Sequence, residues 1–232
     1  NGECDVAVLP IENSYAGEVG QTMDLIFSGN LYINGIYELE IHQNLLGQPD
    51  ATLEDIKKVA SHPQALSQCH EFIKQHNFVT EEVNNTASAA KIVAESNDKS
   101  LAAIASAETA ELYGLKVIKA NINKSSENTT RFVVLSKVLA KTQTMSNTVL
   151  MLTVKNSAGS LASAISIIGK YGYNMTDLRS SPMKKNSWQY YFYIEIDGIV
   201  DSENGKKMLE ELKKVCDILK IAGTFAPHTT LR

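Results

Sequence analysis

Between residue 5 and about residue 137, short apolar runs alternate with helical patterns. "DVAVLPI" opens the series, and "LYINGIYELEI" (31–41) alternates as a half-buried strand does. "KKVAS", "FVTEEV", "LAAIAS" and "RFVVLS" predict short strands. The intervening "PQALSQCHEFIKQH" (63–76), "ASAAKIVAES" (87–96) and "AETAELYG" (107–114) predict helices, the last closing on Gly114 as a C-cap. This order is that of an α/β layer with parallel strands. Periodicity then fades into a run rich in Lys, Thr, Ser and Asn, as in a linker. Beyond it come a strand "TVLMLTVK", a helix "GSLASAISIIGKYG", strands "NMTDLRSSPMK" and "QYYFYIEIDG", a helix "SENGKKMLEELKKVC" and a strand "ILKIAGTFA". Such a βαββαβ series within about eighty residues is the ferredoxin-like unit. The expected division is a first domain over 1–138, a linker over 139–147 and a second domain over 148–228.

Composition changes this picture little. A length of 232 residues allows two domains. Lys and Arg total 22 against 26 Asp and Glu, and the net charge of -4 carries no long run of either sign. That balance argues against a broad footprint for nucleic acid or an anionic membrane, so a bound anion must be held locally. No apolar stretch reaches membrane-spanning length. Cys4, Cys69 and Cys216 are far apart and in no ligand spacing, which suggests neither a disulfide framework nor a zinc site and fits reduced thiols in a cytoplasmic protein. The chain opens in what reads as the turn before a buried strand, without Met or signal peptide, so its natural form is expected to start earlier.

Candidate chemistry concentrates in turns. "VASHPQAL", "VNNTASAAK" and "AIASAETA" each run from strand through a polar turn into a helix. In parallel sheets such turns share the carboxyl edge, where free helix N–H groups and dipole ends can hold an anion. Ser61, His62, Gln64, Thr86, Ser88 and Ser106 are the side-chain donors available there. Ser106 taken alone reads as an N-cap, and His62 before Pro63 reads equally as a turn residue. Thr86 and Ser88 together exceed what a cap needs. "PIENSYAGEV" places Glu12, Asn13 and Ser14 after the first strand, as a crossover lining a cleft or as a plain loop. "NTTRF" adds Thr129, Thr130, Arg131 and Phe132: an Arg can grip a carboxylate in two places, and a Thr can donate a hydrogen bond or a proton.

"VLPIENSYAGEV", "SHPQALSQC", "NTASAAKIVA", "AAIASAETAELYGL" and "NTTRFVVLS", in that order, resemble the successive motifs of prephenate dehydratase, and the tail resembles the ACT regulatory domain of that family. The resemblance implies a two-lobed catalytic domain like the type II periplasmic binding proteins, with the active site in the cleft. It also implies decarboxylative dehydration of prephenate to phenylpyruvate, on the route to phenylalanine, without metal or redox cofactor. The family's threonine-arginine-phenylalanine motif falls on Thr130, Arg131 and Phe132. On that likeness Thr130 is the proton donor, while Arg131, Asn13, Ser14 and Thr86 position substrate and Glu12 sets the electrostatics. His62, Gln64, Ser88, Thr129 and Phe132 complete the expected substrate set.

In the tail, the ACT glycine-alanine-leucine element resembles Gly159, Ser160 and Leu161 at a helix start, and Asn174 falls where that family has an asparagine leading its second strand. The glutamate-serine-arginine-proline element reads Arg179, Ser180, Ser181, Pro182 here, so its acidic and basic members are missing. The resemblance implies L-phenylalanine as effector and association as a homodimer or homotetramer. The family's opening strand and glycine-threonine-phenylalanine loop are not in this sequence. The catalytic domain is thus expected to be incomplete and this polypeptide alone inactive or nearly so. Other readings are a non-catalytic amino-acid sensor with a vestigial lobe, and a solute-binding protein of similar shape.

Overall fold

The computed structural model describes residues 4–123, 128–140, 146–183, 189–226 and 229–231, the last three through their backbone only. In chain order the elements are β1 (Val6–Asn13), β2 (Gly17–Glu18), α1 (Gly20–Ser28), β3 (Tyr32–Glu40), β4 (Asn44–Gly47), β5 (Lys58–Ser61), α2 (Pro63–Gln68) and α3 (His70–Gln75). They continue as β6 (Val79–Glu82), α4 (Thr86–Ser96), β7 (Leu101–Ala105), α5 (Ala107–Tyr113), β8 (Lys116–Lys119) and β9 (Thr129–Ser136). The remainder is β10 (Asn147–Val154), α6 (Ser160–Lys170), β11 (Met175–Pro182), β12 (Tyr190–Asp197), α7 (Glu203–Val215), β13 (Cys216–Phe225) and β14 (Thr229–Leu231). Packing divides the chain into two units, residues 1–39 with 130–232, and residues 40–129. These boundaries differ from those that periodicity predicts. Within the expected linker, residues 141–145 lie outside the described residues.

In the unit formed by residues 40–129 the sheet order is β6-β5-β7-β4-β8. β5 pairs in parallel with β6 and β7, as expected, whereas β4 runs antiparallel to β7 and β8. Successive residues of a strand face opposite sides, and both sides of this sheet are covered. Leu45, Val59, Ala102 and Ile104 face one core, and Leu46, Ala60, Ala103 and Ala105 the other. The predicted helix over 63–76 is broken at Cys69 into α2 and α3.

In the unit formed by residues 1–39 and 130–232, one sheet runs β11-β12-β10-β13-β3-β9-β1-β2. Its β10–α6–β11–β12–α7–β13 portion is a βαββαβ unit with strand order 2-3-1-4 and antiparallel neighbours, the ferredoxin-like arrangement. α6 and α7 cover one face of it through Ala164, Ile168, Met208 and Leu212 against Leu150, Leu152, Ile194 and Ile196. Ser202 caps α7 by accepting from the Gly205 N–H at 3.0 Å. The opposite face, with Val149, Met151, Tyr191 and Tyr193, packs on Ile11, Met23, Ile26, Ile33, Val133 and Leu135. The βαββαβ module therefore shares a hydrophobic core with β1, α1, β3 and β9.

Candidate active site

β1 and β9 run antiparallel, so the end of the first meets the start of the second. Their register sets Asn13 opposite Thr130 and Glu12 opposite Arg131, after a shift between Pro10 and Glu12. Asn13 Nδ2 donates to Thr130 Oγ1 at 2.9 Å. Asn13 Oδ1 accepts from the N–H groups of Tyr15 (3.0 Å) and Ala16 (2.9 Å), closing an Asx turn. Because the amide oxygen is taken by these two donors, the amide nitrogen must face the hydroxyl. Asn13 and Thr130 are both buried. The Thr130 oxygen thus receives a fixed donor. Phe132 is half-buried, and Ser14 is exposed on the turn that follows β1.

Arg131 points to the other side of β9. Its Nη2 lies 3.1 Å from Glu195, its Nη1 3.3 Å from Asp177 and 3.7 Å from Glu12, and its Nε 3.6 Å from Glu38. Arg179 joins the cluster, donating to Glu12 at 2.6 Å and also bonding Asp177. Burial works most strongly against the Arg131 charge, but the Glu195 charge, the Tyr193 phenol and the hydrogen bond to Glu195 together leave the guanidinium pKa raised. Burial, followed by the Glu195 charge, likewise raises the pKa of the Tyr193 phenol. Glu12, expected to set the electrostatics of the cleft, is engaged by both guanidiniums.

In the second unit, parallel β5, β6 and β7 bring their three following turns to one edge of the sheet. The donors there are unequal. Ser61 is fully buried and its hydroxyl donates to the Ile104 carbonyl at 2.6 Å. His62 Nδ1 accepts from the Gln64 N–H at 3.2 Å and so caps α2, while the Gln64 side chain is exposed. Asn85, not Thr86, caps α4, accepting from the Ser88 N–H at 2.7 Å. The half-buried Thr86 and Ser88 hydroxyls are therefore not spent on capping. Ser106 Oγ pairs with Thr109 Oγ1 at 3.0 Å.

The same unit holds a group that the sequence motifs do not single out. Gln68 Oε1 accepts from Asn128 Nδ2 at 3.0 Å and from Gln43 Nε2 at 3.2 Å, and all three amides are buried. Asn128 also accepts the Ile41 N–H through its carbonyl at 2.6 Å. Asn128 immediately precedes Thr129, the first residue of β9. A signal was present: Gln68 lies on the helix face of Ala65 and Leu66, where a polar residue must find partners.

In the βαββαβ module, Gly159 holds a left-handed conformation (φ 83°) at the start of α6. Ser160 Oγ pairs with Ser157 Oγ at 2.7 Å. Leu161 and Ser157 line a pocket of about 120 Å³ with Val154, Lys155, Asn156, Gln189, Tyr190 and Phe192. Asn174 precedes the other end of β11 and donates to Asp197 at 3.2 Å, away from that pocket. Ser180 is exposed, whereas Ser181 is buried and bonded to Glu18.

The family model described as prephenate dehydratase matches residues 1–139. Prephenate dehydratase of Methanocaldococcus jannaschii is 38% identical over 213 residues, which are 90% of this chain and 75% of that protein. The solved prephenate dehydratase of Arthrobacter aurescens, in complex with L-Phe, superposes with a TM-score of 0.85 at 28% identity, over 97% of this chain and 76% of that one. A solved chain described as GqqA, a novel type of quorum quenching acylase, gives a TM-score of 0.85 at 30% identity, over 97% of this chain and 83% of its own. Several curated relatives are longer, and the chain spans only 61–62% of their length. A family match over more than half of the chain, and a relative at this identity, place the chain in the prephenate dehydratase family.

Proposed function

We propose that the protein is a prephenate dehydratase under phenylalanine control. Residues 1–138 form the catalytic part, 139–147 the linker and 148–228 an ACT regulatory domain. The observation that carries the catalytic assignment is the Asn13 amide aimed at the Thr130 hydroxyl. Thr130 gives its proton to the departing ring hydroxyl, which leaves as water. The ring carboxylate leaves as carbon dioxide, its bonding electrons complete the aromatic ring, and phenylpyruvate remains. Asn13 stabilises the alkoxide left on Thr130 until a solvent proton restores it. Ser14, Thr129 and Phe132 hold substrate beside this hydroxyl. Thr86 and Ser88, at the start of α4, together with His62 and Gln64, supply donors for a carboxylate.

The effector reading rests on the pocket at Leu161 and Ser157, beside the α6 N-terminus, which suits an amino-acid carboxylate. Its dimeric or tetrameric assembly and cytoplasmic placement belong to the same proposal.

The test is phenylpyruvate formation from prephenate by the protein in its natural full length. Thr130→Val keeps the shape and removes the proton, and turnover is expected to fall by about 10²–10⁴ with an unchanged circular-dichroism spectrum. Retained turnover in a folded variant overturns the assignment. Phenylalanine binding by calorimetry without turnover in the wild type favours the sensor reading instead. Release of free acid from an N-acyl substrate without prephenate turnover favours an acylase.

A further inference from the structure

Adjacent residues of an extended strand face opposite sides, and on β9 this separates the two polar members of the motif. Thr130 faces Asn13, whereas Arg131 shares its side with Val133 and Leu135, which pack against the βαββαβ module. On that side Arg131 is 16% exposed, and its nearest carboxylate, Glu195, is 1% exposed at 3.1 Å. Glu195 stands on β12 opposite Asp177 of β11, so the module presents two carboxylates to one guanidinium.

We propose that Arg131 is a positioning residue that ties the Thr130 strand to the βαββαβ module through Glu195, and not a receptor for a substrate carboxylate. Charge supports this. Glu12, Glu38, Asp177 and Glu195 surround Arg131 and Arg179, and with every group ionised those six sum to two positive and four negative charges, a net of -2. A doubly anionic substrate brought to that guanidinium would displace partners already there and meet like charges. Removing the guanidinium would take from the buried Glu195 carboxylate the cation that lies 3.1 Å from it.

The inference rests on the proposed dehydratase activity only for its kinetic arm. Arg131→Met, Glu195→Leu and the double variant form a cycle read by thermal unfolding and by prephenate kinetics. Each single variant is expected to lower Tm, and the double variant to recover most of the loss, because it removes both halves of a buried pair. Its KM is expected to return to within about threefold of wild type, a partition that separates positioning from binding. Additive Tm losses overturn the pairing. Restored stability with KM still raised tenfold or more overturns the positioning role and returns Arg131 to the substrate. Should Arg131→Met fail to fold, Arg131→Lys and Glu195→Gln replace it in the same cycle. A wild type without prephenate turnover defeats the proposed function, while the Tm cycle still decides whether the pair couples.

Discussion

Asn13 Nδ2 donates to Thr130 Oγ1 at 2.9 Å across the β1–β9 pair, joining residues 117 positions apart in the chain. The turn after β1 orients the amide, since Oδ1 is occupied by the Tyr15 and Ala16 N–H groups. Asn13→Asp keeps the acceptor that the turn needs but replaces the donor with a second acceptor. The variant is expected to fold as wild type and to lose about 10²–10³ in kcat, with KM little changed, the loss typical of one removed oxyanion donor. Steady-state kinetics on the purified full-length variant measures this. A kcat within a few-fold of wild type removes Asn13 from the reaction.

Gln68 joins Gln43 to Asn128 through one oxygen, in a site with little water access. Gln68→Leu leaves two buried amides short of an acceptor, at a cost of about 1–3 kcal/mol. Urea unfolding should show a lower midpoint with an unchanged m-value. Gln68→Glu restores the acceptor and should recover part of the loss. Equal stability of Gln68→Leu and wild type would mean that water satisfies the trio.

Cysteine reactivity follows burial. Burial pushes the Cys69 thiol from its ordinary 9.0 up to about 12, and burial, aided by Asp217, pushes Cys216 up to about 11. Cys4 is exposed. At pH 8 a maleimide should modify the exposed Cys4 first, because burial holds the Cys69 thiol in its unreactive protonated form. Both thiols are raised acids, so the folded state keeps protons that the unfolded chain releases. Their contribution to stability is full below pH 9 and falls as pH climbs towards the folded values of about 11 and 12. Peptide mapping after timed labelling checks the order, and early modification of Cys69 would contradict its packing.

Much of this architecture was legible where local signals are strong. The βαββαβ series, the helices of 87–96 and 107–114, and the Gly114 cap at φ 66° follow from periodicity and backbone chemistry. β4 did not, because Asn44–Gly47 is four residues buried on both faces and carries no alternation. α1 was hidden behind the glycines that flank it, Gly20 and Gly29. For the candidate site, residue types were readable but pairings were not. Nothing local shows that Asn13 will meet Thr130, or that carboxylates from β11 and β12 will surround Arg131. The period of two along "TTRFVVLS" did contain the opposite facing of Thr130 and Arg131, since Val133 and Leu135 mark the core side.

β13 touches β3 at a single register position, Gly223 beside Ile33. A Cβ on Gly223 would meet the Ile33 backbone carbonyl and nitrogen as well as its side chain, and backbone in a sheet cannot step aside as a flexible side chain does. Gly223→Ala should therefore cost at least the roughly 1–3 kcal/mol of an overpacked core and open the joint between the βαββαβ module and β3. Gly169 is the control. It lies within α6, where an added Cβ meets nothing within 4 Å, so Gly169→Ala should stabilise the fold by about 0.5–1 kcal/mol through helix propensity. Denaturant midpoints of the two variants should move in opposite directions. If Gly223→Ala is neutral while Gly169→Ala stabilises, the close approach at Ile33 is not part of the folded protein in solution.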